Sequence, residues 1–435
     1  MTSSVIEHRS GPRLNEREEL RRVVSEVVGA VPVFDMHTHL YAPEFGDLGL
    51  SGIDELLTYH YLIAETFRST RVSYESFWRM SRTEQADLVW RTLFVENTPV
   101  SEATRGVLTV LDAFGLDLAA PELSEARAFF REQEPAAHLA RVLELAGVSD
   151  VVMTNDPFDA REASVWEGDG GRDKRFHAAL RMDGLLNDWE RSAAALAALG
   201  YGVDAGFGGT TVAEVRRFLD SWIERMRPLY MAVSLPDDFK YPEGDARDRI
   251  IREVVLPTAR EHRLPFALMV GVRRGVNPAL RAAGDGVGRA DVSAVERLCA
   301  ENPDVRFLTS FLSRENQHEL CVSARKFQNL LPFGCWWFLN NPSIIKEITR
   351  ERLEMLGTSF VAQHSDARVL EQLIYKWRHS RRCIADALAE SYERLLESGR
   401  SVTRAEIERD AVRLFDENFR AWVSHAPQAE PGSNR

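Results

Sequence analysis

Eight apolar runs of strand length recur along the chain with helical patterns between them, and this rhythm constrains the fold more than any other feature. The runs are VPVFDMHTHL (31–40), VSDVVMTND (148–156), RFHAALRMD (175–183), PLYMAVSL (228–235), LPFALMVGV (264–272), VRFLTSFL (305–312), LLPFGCWW (330–337) and TSFVAQHSD (358–366). Most are apolar at successive positions rather than at alternate ones, the pattern of strands buried on both faces. Eight βα repeats predict an α/β fold, a distorted (β/α)8 barrel of the kind that takes about 250 residues or more as one unit.

Two stretches fall outside the rhythm. Residues 45–145 separate the first and second runs and read as mostly helical, for example over 73–93 and Pro135–Ala146. A structureless loop of that length is implausible in a compact domain, so the stretch is expected to be a helical insertion over the barrel mouth. The charged segment from about Asp366 to Ser424 reads as a C-terminal helical extension. The expected organisation is an N-terminal helix within 1–29, periodic from Leu14 to Val28 and stopped by Gly29, then a barrel domain over 30–425. A tail of composition APQAEPGSNR (426–435) is expected to be disordered.

Composition narrows the class. Hydrophobic residues make up 44% and charged residues 28%, and Lys+Arg 54 against Asp+Glu 66 leaves a net charge of −12. Such a chain can bury a large core, which excludes disordered and fibrous classes. An acidic balance without a basic block argues against nucleic-acid and membrane partners, so an anionic ligand must be caught by a few local arginines. The cysteines, Cys299, Cys321, Cys335 and Cys383, show no CxxC spacing and are expected to be reduced and buried. The N-terminus lacks the apolar core of a secretory signal, and no run of about 18 apolar residues occurs, which points to the cytoplasm.

The strongest local signal is His37-Thr38-His39 at the end of the first run. Residues two apart on an extended strand point the same way, so the imidazoles can converge on one divalent ion, with zinc favoured by nitrogen donors. HxH alone is common; its place at the C-terminal end of a barrel strand, where barrel enzymes build their sites, gives it weight. The eighth run ends at Asp366, and in a closed barrel it lies beside the first, so Asp366 can add a carboxylate to the same ion. The competing role for Asp366 is to cap the following helix. His177, inside a strand, is expected to be a hydrogen-bonded core histidine. Trp336 and Trp337, adjacent in the seventh run, should face opposite ways, one walling the site and the other packing on helices.

With FDMHTHL, a strand-eight Asp and a helical insertion after strand one, the chain resembles the amidohydrolase superfamily. Longer stretches are similar to its uronate isomerase (glucuronate isomerase) branch: His60-Tyr61, Thr154-Asn155-Asp156-Pro157, Arg181-Met182-Asp183, Gly334-Cys335-Trp336-Trp337-Phe338 and Ser365-Asp366-Ala367-Arg368, spread over roughly 30–425. The resemblance implies a TIM-type barrel that converts aldehyde uronates such as D-glucuronate and D-galacturonate to ketouronates. It also implies one divalent metal, often zinc, on His37, His39 and Asp366.

Moving a carbonyl from C1 to C2 needs a base for the C2 proton and an acid or metal to hold charge on an enediolate. Asp366 or the Tyr61 phenolate is the candidate base, and His60 can shuttle the hydroxyl proton. Arg181 and Arg368 are candidates for the substrate carboxylate, because the guanidinium fork matches it; a salt bridge to Asp156 or Asp183 is the competing role of such an arginine. Three departures from the family pattern stand out. Met269 replaces a strand-five histidine, Ser234-Leu235-Pro236-Asp237 replaces an SDHG segment, and Leu62-Ile63-Ala64 replaces Lys-Trp-Arg. They point to a divergent branch, and the absence of strand-five and strand-six histidines leaves a single ion rather than two. The alternative activity is a mononuclear metal-dependent hydrolase or decarboxylase on the same scaffold, since fold does not fix reaction; a barrel that only binds a ligand is the third reading. The partner expected is a small sugar acid, with a homo-oligomer as a further possibility.

Overall fold

The computed structural model describes residues 12–168 and 172–424. The expected tail at 426–435 lies outside the described residues. Seven of the eight runs form strands of one parallel sheet: β1 (Val33–Thr38), β2 (Val148–Asn155), β3 (Phe176–Arg181), β4 (Met231–Pro236), β5 (Phe266–Arg273), β6 (Phe307–Phe311) and β7 (Leu330–Pro332), hydrogen-bonded in that order. A two-residue strand, Gly286–Val287, adds an antiparallel pair to the end of β5.

Side chains along these strands divide between two packing layers. Phe34, Met36, Val152, Ala179, Ala232, Ala267, Met269, Leu308 and Leu331 form the interior cluster. Their strand neighbours Val33, Val151, Leu180, Met231, Val233, Phe266, Leu268, Phe307 and Leu330 pack outward in the main core with the surrounding helices. This two-sided burial is the reason the runs are apolar at successive positions. The strand-five position expected to carry a histidine is filled by Met269, 1% exposed, as part of the interior packing.

The eighth run does not form a regular strand. It touches β7 through one parallel bridge, Phe333 to Val361, with Gly334 N–H donating to the Val361 carbonyl at 3.0 Å. On its other side Asp366 N–H donates to the His37 carbonyl (3.1 Å) and His39 N–H to the Ala367 carbonyl (2.7 Å), so the segment spans the seam between β7 and β1. Part of its hydrogen bonding goes elsewhere, Ala362 N–H donating to the Leu414 carbonyl.

The insertion is helical, as expected, and has its own apolar centre of Ile53, Leu57, Leu62, Val89, Trp90, Val107 and Leu111. The helix expected over 73–93 is two helices, Tyr74–Arg79 and Arg82–Trp90. Ser81 starts the second with a reciprocal capping box to Glu84. Helix α2 (His60–Thr66) packs on the turn Pro278–Gly284 after β5, where Ile63 meets Leu280.

The N-terminal helix α1 (Arg17–Ala30) ends one residue past Gly29. It buries Leu20, Val23, Val24, Val27 and Val28 toward the long C-terminal helix α3 (Gln372–Glu397). All four cysteines are free and buried. Among the described residues no helix is long and apolar enough to cross a membrane.

Candidate metal centre and active site

β1 delivers its two histidines through an irregularity. Asp35 pairs with Val151 and Thr38 with Met153, so β1 takes up one extra residue over that interval. A bulge of this kind re-aims side chains. Asp35 meets the outer helix layer, its Oδ2 accepting the Trp377 indole N–H at 2.8 Å, whereas His37 turns to Tyr230 in the interior. The imidazoles of His37 and His39 stand 5.6 Å apart, ring to ring, nearly perpendicular.

Asp366 arrives from the seam. Its backbone has φ +52°, the left-handed region that a non-glycine residue rarely adopts. The helix that follows begins at Gln372 with Glu371 before it, so Asp366 does not cap it. Asp366 Oδ1 lies 3.4 Å from His39 Nε2 and 3.9 Å from His37 Nε2, and the three donor atoms all fall within 4.8 Å of one another. Ligands at about 2.0–2.1 Å around a tetrahedral ion sit roughly 3.4 Å apart, so this spacing suits one ion.

The outer nitrogens of both imidazoles are engaged, which fixes what the inner ones can do. The Tyr230 hydroxyl donates to the Met36 carbonyl at 2.6 Å, leaving its oxygen to accept from His37 Nδ1–H at 3.1 Å. In the same way the Thr154 hydroxyl donates to the Thr38 carbonyl (3.0 Å) and accepts from His39 Nδ1–H (2.8 Å). Each hydroxyl has one proton to give, so both imidazoles carry theirs on Nδ1 and turn a bare Nε2 toward Asp366.

Electrostatics favour the same protonation states. Burial pushes His37 well below its ordinary value and lowers His39. Burial also raises Asp366, but the charge of the neighbouring Lys376 and the polar groups around it outweigh this and hold the carboxyl below its ordinary range. Two neutral imidazoles and a carboxylate are the donor set a divalent ion requires. Among the described residues Asp366 Oδ1 is buried without a hydrogen-bond donor, facing the bare Nε2 atoms of His39 and His37, as an atom kept for such an ion would be.

The remaining residues form a wall of unsatisfied polar groups. Among the described residues His60 Nε2, Tyr61 Oη and Trp337 Nε1 are buried without partners, and the His60 ring lies 4.4 Å from Tyr61 and 5.6 Å from Trp337. Burial pushes His60 down to about 3 and the Tyr61 phenol well above its ordinary value, so both are neutral. The opposite-face expectation for the tryptophans fails because β7 ends at Pro332. Trp337 sits in a short turn with φ +46°, and both indoles lie on the interior cluster: Trp336 buried in it, Trp337 packed against it.

Of the two arginines, Arg181 is committed: its Nε and Nη2 reach both oxygens of Asp183 at 3.0 and 3.3 Å. Arg368 is exposed, and among the described residues only its backbone N–H is bonded, to Gln372. His177 is hydrogen-bonded as expected, its Nε2 2.8 Å from Asp150 Oδ1, and is half-buried.

Sequence reading leaves out four residues. Tyr230 and Asp35 support the donors described above. Lys376 donates to the Ser365 carbonyl at 2.7 Å, and among the described residues His364, fully buried beside His37, has no partner on either ring nitrogen. A signal for Lys376 exists: it interrupts the stripe Leu373, Trp377, Ser380, Ile384 on the buried face of α3.

Three solved structures resemble the chain. An uronate isomerase from Bacillus halodurans C-125 matches with a TM-score of 0.92 at 55% identity, over 94% of this chain and 97% of that one. An uronate isomerase from Thermotoga maritima (TM-score 0.76, 15% identity, 95% and 100% covered) and a glucuronate isomerase from Caulobacter crescentus (0.72, 18%, 95% and 95%) share the fold. No family model and no curated protein matches the chain.

Proposed function

The chain belongs to the uronate isomerase family of the amidohydrolase superfamily, and from that premise we propose that it interconverts a hexuronate of the D-glucuronate or D-galacturonate type and its ketouronate on one zinc ion held by His37, His39 and Asp366. The observation that carries the metal reading is the convergence of two bare Nε2 atoms and an ionised carboxylate within 4.8 Å. When bound, the ion would supply Lewis acidity to offset negative charge on the substrate oxygens as C2 is deprotonated.

In this reading the protein's own groups divide the proton work. Asp366, kept ionised despite burial, is the base for the C2 proton. Tyr61, kept protonated by burial, donates a hydrogen bond to a substrate oxygen and does not act as a phenolate. His60, neutral and adjacent, passes the hydroxyl proton between O1 and O2. Arg368 receives the substrate carboxylate with its free guanidinium, and Arg181 adds charge from behind its pair with Asp183. Trp337, with Trp336 beneath it, walls the site against water.

The test is to incubate the purified protein, loaded with Zn2+, with D-glucuronate and D-galacturonate and to follow aldehyde loss by NMR and mass spectrometry. Conversion to the ketouronate at unchanged mass supports the reading. Fragments of lower mass would favour the hydrolase or decarboxylase alternative, and no conversion of either acid would overturn the assignment.

A further inference from the structure

The turn that presents Asp366 is gripped at both backbone groups of one residue, Ser365. The Ser365 N–H donates to Asp35 Oδ1 at 3.0 Å, while the Ser365 carbonyl accepts from Lys376 Nζ at 2.7 Å and from Asn340 Nδ2 at 3.2 Å. Asp35 is itself tied to α3 through the Trp377 indole, next to Lys376 in the chain. Asp35 and Lys376 are 0% and 1% exposed.

Buried charges are costly unless something uses them. Among the described residues these two form no ion pair with one another; each is spent on a backbone group of Ser365 instead. The residue that follows is Asp366 in its left-handed conformation, a backbone state that costs about 1–2 kcal/mol outside glycine and persists only where the surroundings over-determine it. Asp366 N–H to the His37 carbonyl, and Ala367 N–H to Ser365 Oγ at 3.1 Å, complete the restraint.

We propose that Lys376 and Asp35 are positioning residues for the metal-binding carboxylate, holding the two backbone groups of Ser365, its N–H and its carbonyl, so that Asp366 is presented to His37 and His39. The proposal rests on the metal reading of His37, His39 and Asp366. Neither residue touches the ion or the substrate; each acts through the backbone of residue 365. The grip also couples the site to α3, because Lys376 and Trp377 both lie on the face of that helix turned to the barrel.

The experiment titrates the chelator-treated full chain with Zn2+ and follows binding by calorimetry, with thermal unfolding measured on the same metal-free samples. Lys376→Met is expected to bind Zn2+ at least about tenfold more weakly than wild type while still unfolding cooperatively, the scale typical of residues that orient a ligand. With saturating Zn2+ it should lose kcat more than it raises KM. Lys376→Arg, which keeps a charged donor, should regain part of the lost affinity.

Zinc affinity of Lys376→Met within twofold of wild type overturns the proposal. If Lys376→Met does not fold, Asp35→Asn is titrated in its place: weakened binding supports the grip and unchanged binding overturns it. If unmutated protein takes up no Zn2+, the metal reading itself has failed, a result distinct from a variant that matches a zinc-binding wild type.

Discussion

Tyr230 sits 3.1 Å from His37 Nδ1 and commits its own proton to the Met36 carbonyl, so a side chain just ahead of β4 decides which nitrogen of a β1 histidine is bare. The contact crosses the barrel interior and joins residues 193 positions apart.

Removing that hydroxyl tests the relationship. Tyr230→Phe leaves His37 Nδ1–H buried without an acceptor and frees the ring to change tautomer. Metal affinity is expected to fall about 10- to 100-fold with little loss of secondary structure. Zinc binding at wild-type strength, measured by competition with a coloured chelator, would contradict the tautomer argument.

Met269 stands where a histidine would add a potential ligand, and it is packed as core. Met269→Ala should destabilise the protein by about 2–5 kcal/mol through the cavity it opens. Metal bound per chain should not change. Denaturant unfolding and metal analysis of the variant check both halves; lost metal with unchanged stability would show that the thioether serves the site instead.

The arginines should separate in steady-state kinetics. Arg368→Gln is expected to raise KM about tenfold or more, the scale of a lost charge-assisted hydrogen bond, with a smaller change in kcat. Arg181→Gln should raise KM less, because Asp183 already holds that guanidinium. The opposite ranking would exchange their roles.

The metal pair was legible because both histidines sit in one short motif at a strand end, where the barrel puts chemistry. Asp366 was legible because a closed barrel brings its last strand to its first. What escaped depends on contacts between distant positions. Nothing near Tyr230 in the chain marks it as the acceptor for His37, and Asp35, which alternation turns to the helices, reads as the partner of His37 on one face until the bulge before Thr38 sends the histidine inward. The eighth run reads as a strand from its apolar residues, but part of its hydrogen bonding is spent on Leu414 and on the turn at Asp366. Strand alternation misplaced Trp337 for a similar reason, because the ladder stops at Pro332, before the tryptophans.

Three buried histidines should make the fold lose stability in acid, against the opposite contribution of Asp35 and Glu102, whose carboxyls burial raises to about 6 and 7. His60, His364 and His379 are pushed down to about 3, 4 and 3, mainly by burial. Unfolded, each takes a proton near pH 6.5, so below that pH the unfolded state binds more protons and stability falls, until about pH 4 where the folded groups begin to titrate. Each contributes a slope of about 1.4 kcal/mol per pH unit where only the unfolded form is protonated. Denaturant midpoints at pH 7, 6 and 5 should drop less steeply for His379→Gln than for wild type; parallel curves would contradict this.

Zinc-dependent activity is the most direct measure of the central claim. Chelated protein is given Zn2+ in steps and assayed for hexuronate isomerisation at each. Activity should rise linearly and level off at one ion per chain, and His37→Ala and Asp366→Ala should neither bind the ion nor respond. Full isomerase activity in metal-free protein, or a plateau at two ions per chain, would contradict a single site built by His37, His39 and Asp366.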